Sequence, residues 1–253
     1  MKILISLGCS WTNGRGLQYE NSMSKEEYIK SFEDEVLRIK FEKLTFRQLL
    51  SDKLNAENIN LSESGSSNQR QIRKAKEFFL NQKNKWFNNE IIVIWGLTSV
   101  YRNEIWNIDT QQYENIFYKD NTEIDNVLIK YFDMNKEIKN LSYEIKLWNE
   151  YFKIKNIKNY WYNTFNYHKY NFDFDNLLWN GKDLLSILIN SNDSNDYYHK
   201  SVGLRWKHAP IEMDKNILKA LELKRVNPIS KHPNKESHII IADMMEKELL
   251  KER

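Results

Sequence analysis

Residues 3–16 read Ile3-Leu-Ile-Ser-Leu-Gly-Cys-Ser-Trp-Thr-Asn-Gly-Arg-Gly16, a short apolar run that stops abruptly in small and polar residues. About four to eight apolar residues bounded by glycine describe a strand buried on both faces, the kind that belongs to a parallel sheet. Ligand sites of such sheets lie beyond the carboxyl ends of the strands, which is where Ser10 falls. In isolation a serine there is a turn residue or a helix N-cap. The pattern recurs, however. Ile59-Asn60-Leu61 runs into Ser62-Glu63-Ser64-Gly65-Ser66-Ser67-Asn68, and Ile91-Ile92-Val93-Ile94-Trp95 runs into Gly96-Leu97-Thr98-Ser99, so three strands each end in a loop rich in Gly, Ser or Thr.

Between these strands the apolar residues take helical spacing. Leu37, Phe41, Leu44, Leu49 and Leu50 predict a crossover helix over Glu33–Leu54, and a second helix runs from Asn68 to about Gln82. Further helices are expected over Lys136–Phe152, Leu184–Ile189 and Met213–Leu223, and a last one begins just after Pro233 and covers Ala242–Leu250. Asn159–Phe165 reads as a fourth strand and Val226–Ser230 as a short last one, while residues 166–210, rich in Asn, Asp and Tyr, read as an insertion near the site. Strands alternating with helices make an α/β domain with a parallel sheet, because each parallel crossover needs a helix. With 253 residues and no linker or internal repeat, a single domain is expected.

Composition excludes several classes of function. Lys plus Arg (38) nearly balance Asp plus Glu (35), so charge makes no case for nucleic acid or an anionic membrane. The lysine-aromatic stretch Tyr160–Tyr170 is read as half-buried strand and loop rather than a base-stacking surface. The single cysteine, Cys9, rules out an internal disulfide framework, and only eight residues precede it, too few for a signal peptide. No apolar run approaches the roughly 18 residues needed to span a bilayer, so a soluble, cytoplasmic protein is expected. The oligomeric state is not legible.

A serine becomes a nucleophile at neutral pH when a base accepts its proton, and histidine is the usual base. Lys231-His232-Pro233-Asn234, with His238 beyond it, supplies one near the C-terminus. Backbone amides at glycine-bearing turns supply the donors that acyl transfer needs for its oxyanion. Arg102 and Glu104 follow the third strand at the same sheet edge, either as substrate-binding groups or as a surface ion pair. Trp11, Trp95, Trp161 and Tyr162 are candidates to stack on a sugar face or to pack the core. Other motifs are missing: Gly14-Arg15-Gly16 lacks the third glycine of a dinucleotide loop, and there is neither a Gly-Lys-Ser/Thr phosphate loop nor a Gly-x-Ser-x-Gly elbow. Of five histidines only His232 and His238 approach ligand spacing, with no third and fourth ligand to match, so no metal and no cofactor are expected.

Taken together, Gly8-Cys9-Ser10 with Thr12-Asn13-Gly14, then Gly65-Ser66-Ser67-Asn68, then Trp95-Gly96-Leu97-Thr98-Ser99, then His232-Pro233-Asn234 resemble the four sequence blocks of the SGNH/GDSL hydrolase family, in its order and roughly its spacing. The resemblance implies a three-layer α/β/α sandwich of flavodoxin-like type with about five parallel strands. It implies an esterase or deacetylase that acts through an acyl-enzyme on a carbohydrate or small-molecule ester. On the same basis Ser10 is the expected nucleophile and His232 the general base. The Ser10 and Gly65 amides are the expected oxyanion donors, helped by the hydroxyl of Thr98 or Ser99. Asn68, Arg102 and Glu104 are expected to bind substrate, and His238 to be structural or pocket-lining.

Two departures bear on activity. Thr98 stands where the family has its oxyanion asparagine, and Ile229, next to Ser230, stands where it has the aspartate three residues before the histidine. The first can cost roughly 10²–10³ in rate and the second up to about 10⁴. A Ser-His dyad and a catalytically silent domain that binds a glycan or a protein through the same pocket are therefore both open readings.

Overall fold

The computed structural model describes residues 1–19, 23–81, 88–100, 102–117, 132–164, 174–189, 214–227 and 232–251. At its centre is a parallel sheet of four strands in the order β2 (Glu57–Asn60), β1 (Lys2–Leu7), β3 (Glu90–Leu97), β6 (Lys158–Asn163). The central pair, β1 and β3, are the two runs read most readily from sequence, and beyond their first residues, Lys2 and Glu90, they are buried on both faces. In register, Leu7 lies opposite Trp95 and Ser6 opposite both Asn60 and Ile94, so the parallel strands deliver their carboxyl ends to one edge, where β3 runs two residues beyond β1.

Alternation along these strands sorts the core into two layers. Leu4, Ile92, Ile94, Tyr160 and Tyr162 point to one side, against α4 (Phe46–Leu54), α7 (Leu184–Leu188), α8 (Asp214–Glu222) and α9 (Lys235–Lys251). Ile3, Ile5, Leu7, Val93, Trp95 and Trp161 point to the other, against α5 (Asn68–Asn81) and α6 (Met134–Ile154). The result is the expected α/β/α sandwich. Each fully buried aliphatic side chain in these layers contributes about 1.5–3 kcal/mol. Trp11, Trp95, Trp161 and Tyr162 are all at most 2% exposed, and Trp95 stacks on Trp161 with ring centres 4.5 Å apart, so these aromatics pack the core rather than offer a sugar face.

Several expectations need correction. The segment 33–54 is two helices, α3 (Glu35–Glu42) and α4, because the Thr45 hydroxyl accepts the Gln48 N–H and starts a new helix in mid-pattern. An antiparallel hairpin, β4 (Arg102–Asn107) and β5 (Gln112–Phe117), follows β3 where no strand is expected from the sequence. In place of a fifth strand, the described residues extend the sheet past β6 only by isolated parallel bridges, Trp161 to Leu177 and Asn163 to Asp183. Val226 forms an antiparallel bridge with Pro233, while residues 228–230 of the expected last strand lie outside the described residues. So does most of the expected insertion, of which 174–189 are described. Among the described residues no helix is long and apolar enough to cross a membrane.

Candidate active site

Ser10 is the first residue of α1 (Ser10–Asn13), a single helical turn that follows β1 across Gly8 and Cys9. The first amides of a helix have no partner within it. The Ser10 N–H has no acceptor among the described residues, and neither has that of Gly65. Gly65 sits in the loop after β2 at φ +78°, a left-handed conformation that costs a side-chain-bearing residue about 1 kcal/mol or more. That loop is stitched to the Ser10 turn. The Glu63 N–H donates to the Gly8 carbonyl at 3.1 Å, Asn13 Nδ2 to the Ser62 carbonyl at 3.2 Å and Arg15 Nη1 to Ser64 Oγ at 2.8 Å. Two free backbone donors are thus carried on neighbouring, mutually braced turns.

His232 comes from the far end of the chain, 222 residues away, and its Nε2 lies 2.7 Å from Ser10 Oγ. The Asn227 N–H donates to the His232 carbonyl at 2.9 Å, and the Asn234 N–H donates to the Arg225 carbonyl at 3.2 Å, so 225–227 and 232–234 form a narrow clasp. Its floor is Gly16. A Cβ there would stand 2.4 Å from the Pro233 carbonyl oxygen and 2.7 Å from His232 Cβ, and the Gly16 carbonyl accepts from Asn227 Nδ2 at 3.4 Å. Only a residue without a side chain lets the histidine segment approach this closely. Gly16→Ala is therefore expected to push His232 away from Ser10 and lower kcat by about 10–100-fold, with substrate binding little changed, as steady-state kinetics would register.

Geometrically, the Ser10–His232 pair can move a proton. With its own proton on Nδ1, the imidazole accepts the Ser10 hydroxyl proton at Nε2. Positions 229 and 230, where an orienting acid is missing from the sequence, lie outside the described residues.

The other expected site residues fall differently. Asn68 is 2% exposed and closes on Thr98: its Oδ1 accepts the Thr98 N–H at 2.9 Å and its Nδ2 donates to the Thr98 carbonyl at 2.7 Å. Its carboxamide clamps the exit of β3 to the head of α5. Thr98 and Ser99 are buried as well, and the Thr98 hydroxyl has no hydrogen-bond partner among the described residues. Arg102 opens β4 and is half-buried. Glu104, with its side chain 5% exposed, takes Arg73 at 2.9 Å and Arg70 at 3.3 Å, both from α5. It borders a groove of about 620 Å³ between α5, the hairpin and α6, together with Arg73, Tyr113 and Glu137.

Beneath the site, the hydroxyls of Thr12 and Tyr162 share a hydrogen bond of 2.7 Å, which ties the Ser10 turn to β6. Burial pushes the Tyr162 pKa well up, so this phenol stays protonated and is no base. His238 is equally buried, stacked on Phe46, and its Nδ1 accepts the Phe46 N–H at 3.0 Å. Burial, with Arg47 and His232 adding positive potential, pushes its pKa down from 6.5 to about 3. The unfolded chain takes up this proton near pH 6.5 and the folded chain only near 3, so stability falls as pH drops through that window, by up to about 1.4 kcal/mol per pH unit. Urea unfolding between pH 7 and pH 4 is expected to show this loss, and His238→Leu, though less stable at pH 7, is expected to show a shallower one.

Sequence reasoning did not find Gly16, Asn227 or the Thr12–Tyr162 pair as parts of the site. Each acts through a partner distant in the chain, and none carries a local signal.

No protein-family model matches the chain, and no curated protein matches it in sequence. Solved structures resemble it in shape at low identity. One is a carbohydrate esterase whose active site is described as having divergent catalytic and non-catalytic binding functions, at 10% identity and TM-score 0.49, with 98% of this chain and 68% of that one covered. Another is a psychrotrophic esterase from Pseudoalteromonas sp., at 15% identity and TM-score 0.44, with 99% and 97% covered. A third is an acetyl xylan esterase from the rumen bacterium Butyrivibrio proteoclasticus, at 12% identity and TM-score 0.46, with 99% and 64% covered.

Proposed function

We propose that the chain is a serine hydrolase of SGNH type that removes an acyl group, acetyl foremost, from a carbohydrate or small-molecule ester. The observation that carries this reading is the 2.7 Å approach of His232 Nε2 to Ser10 Oγ across 222 residues of sequence. In the proposed reaction His232 takes the Ser10 proton as Oγ bonds to the ester carbonyl carbon. The resulting oxyanion is held by the Ser10 and Gly65 N–H groups. His232 then gives the proton to the departing alcohol, leaving an acyl-Ser10 ester. Water, deprotonated by the same imidazole, cleaves that ester and returns the serine.

A second reading, a silent domain that binds a glycan or a protein, is favoured by one feature. Thr98 replaces an asparagine donor, and its hydroxyl is buried rather than presented. Release of acid from p-nitrophenyl acetate, its butyrate homologue and an acetylated oligosaccharide separates the two. Hydrolysis is expected, fastest for acetyl. A folded protein that turns over none of these esters would overturn the hydrolase reading in favour of binding.

A further inference from the structure

Arg70, in the first turn of α5, has a side chain only 11% exposed, and its guanidinium reaches three separate segments. Nη1 donates to Glu63 Oε1 at 2.9 Å, Nε to Glu104 Oε2 at 3.3 Å, and Nη2 to the Tyr113 carbonyl at 3.2 Å. Glu63 precedes Gly65 by two residues, Glu104 belongs to β4 and Tyr113 to β5. The loop that Arg70 holds is also the one whose Glu63 N–H rests on the Gly8 carbonyl, beside the Ser10 turn. The other Glu63 carboxylate oxygen meets Lys74 at 2.5 Å, so the carboxylate is gripped on both sides.

We infer that Arg70 is a positioning residue that braces the Gly65 loop between α5 and the β4–β5 hairpin, and so holds the Gly65 N–H where it donates to the oxyanion. The inference rests on the Ser10 reaction proposed above. A planar guanidinium with a rigid fork of donors serves three acceptors in fixed directions; an ammonium is a point charge and does not. An oxyanion donor acts only in the geometry of the transition state, so loosening its loop lowers kcat and leaves ground-state binding nearly intact. Displacement of a reacting group by about 1 Å is enough to cost about 10²-fold. Arg73 is the internal control. It shares Glu104 with Arg70, and its other ion-pair partner is Glu77 on its own helix rather than the Gly65 loop.

The test compares Arg70→Ala, Arg70→Lys and Arg73→Ala by p-nitrophenyl acetate kinetics, by the rate at which a fluorophosphonate modifies Ser10, and by hydrogen exchange of residues 62–67. Both Arg70 variants are expected to lose about 10–100-fold in kcat with KM within about threefold, to lose phosphonylation rate by the same factor, and to exchange faster over 62–67. Arg73→Ala is expected to stay within about threefold of wild type in every readout. Should Arg70→Ala fail to fold, Arg70→Lys carries the comparison. Equal losses in the Arg70 and Arg73 variants, a change confined to KM, or an unchanged phosphonylation rate would overturn the inference. A wild type that neither hydrolyses nor labels defeats the Ser10 reading instead. The bracing is then judged by exchange alone, supported if 62–67 loosens in Arg70→Ala but not in Arg73→Ala and overturned if the two behave alike.

Discussion

Ser10→Ala is expected to lower kcat/KM for an acetyl ester by about 10⁴-fold or more while leaving the chain folded. The magnitude follows from what stays and what goes. The Ser10 and Gly65 amides keep polarising a bound carbonyl, but no atom remains to form the acyl bond, and attack falls to water. Stability changes little because the lost hydroxyl is at the rim of the core, 7% exposed, with His232 Nε2 as its partner; a single such hydrogen bond contributes about 1 kcal/mol. Cys9, adjacent in sequence, does not substitute for it. Its side chain is fully buried, so Cys9→Ser is expected to keep activity within a few-fold. Steady-state kinetics with thermal melts of the same variants check both statements. Activity surviving Ser10→Ala within tenfold would place the nucleophile elsewhere.

His232→Ala is the second large effect, about 10⁴-fold in kcat. Without the imidazole the Ser10 hydroxyl keeps its proton at neutral pH, and the leaving alcohol has no donor. His232→Asn retains a hydrogen-bonding side chain but transfers no proton, and is expected to be as inactive as alanine. In the proposed reaction serine and histidine act as a unit, so Ser10→Ala combined with His232→Ala is expected to be no worse than either single variant by more than about threefold. Additive losses would mean that the two residues contribute separately, contrary to the 2.7 Å pairing.

How much of this was legible from sequence depended on whether the controlling interactions were local. The central strands β1 and β3 could be read because both their faces are buried and their residues are almost all apolar. The order of the small polar loops then brought Ser10, Gly65 and Thr98 to one edge, since parallel strands end at the same side of a sheet. The hairpin was not legible: Arg102-Asn-Glu-Ile-Trp-Asn107 is polar and exposed on much of its surface, and its polar anchors, Arg70 and Arg73, lie on α5. The break between α3 and α4 was hidden because Leu44, Leu49 and Leu50 continue the helical spacing across the Thr45 cap. Asn68 looked like a substrate-facing amide because it lies in a loop-like cluster, yet its partner is the Thr98 backbone thirty residues later. Gly16 looked like part of an incomplete dinucleotide loop, whereas its bareness serves a histidine segment more than two hundred residues away.

The most direct measurement is intact-protein mass spectrometry after incubation with a fluorophosphonate, with the modified peptide sequenced. A single adduct per chain on Ser10 is expected, retained in Cys9→Ser and absent from both Ser10→Ala and His232→Ala. A folded wild-type chain that takes up no adduct, or takes it on another residue, would contradict it.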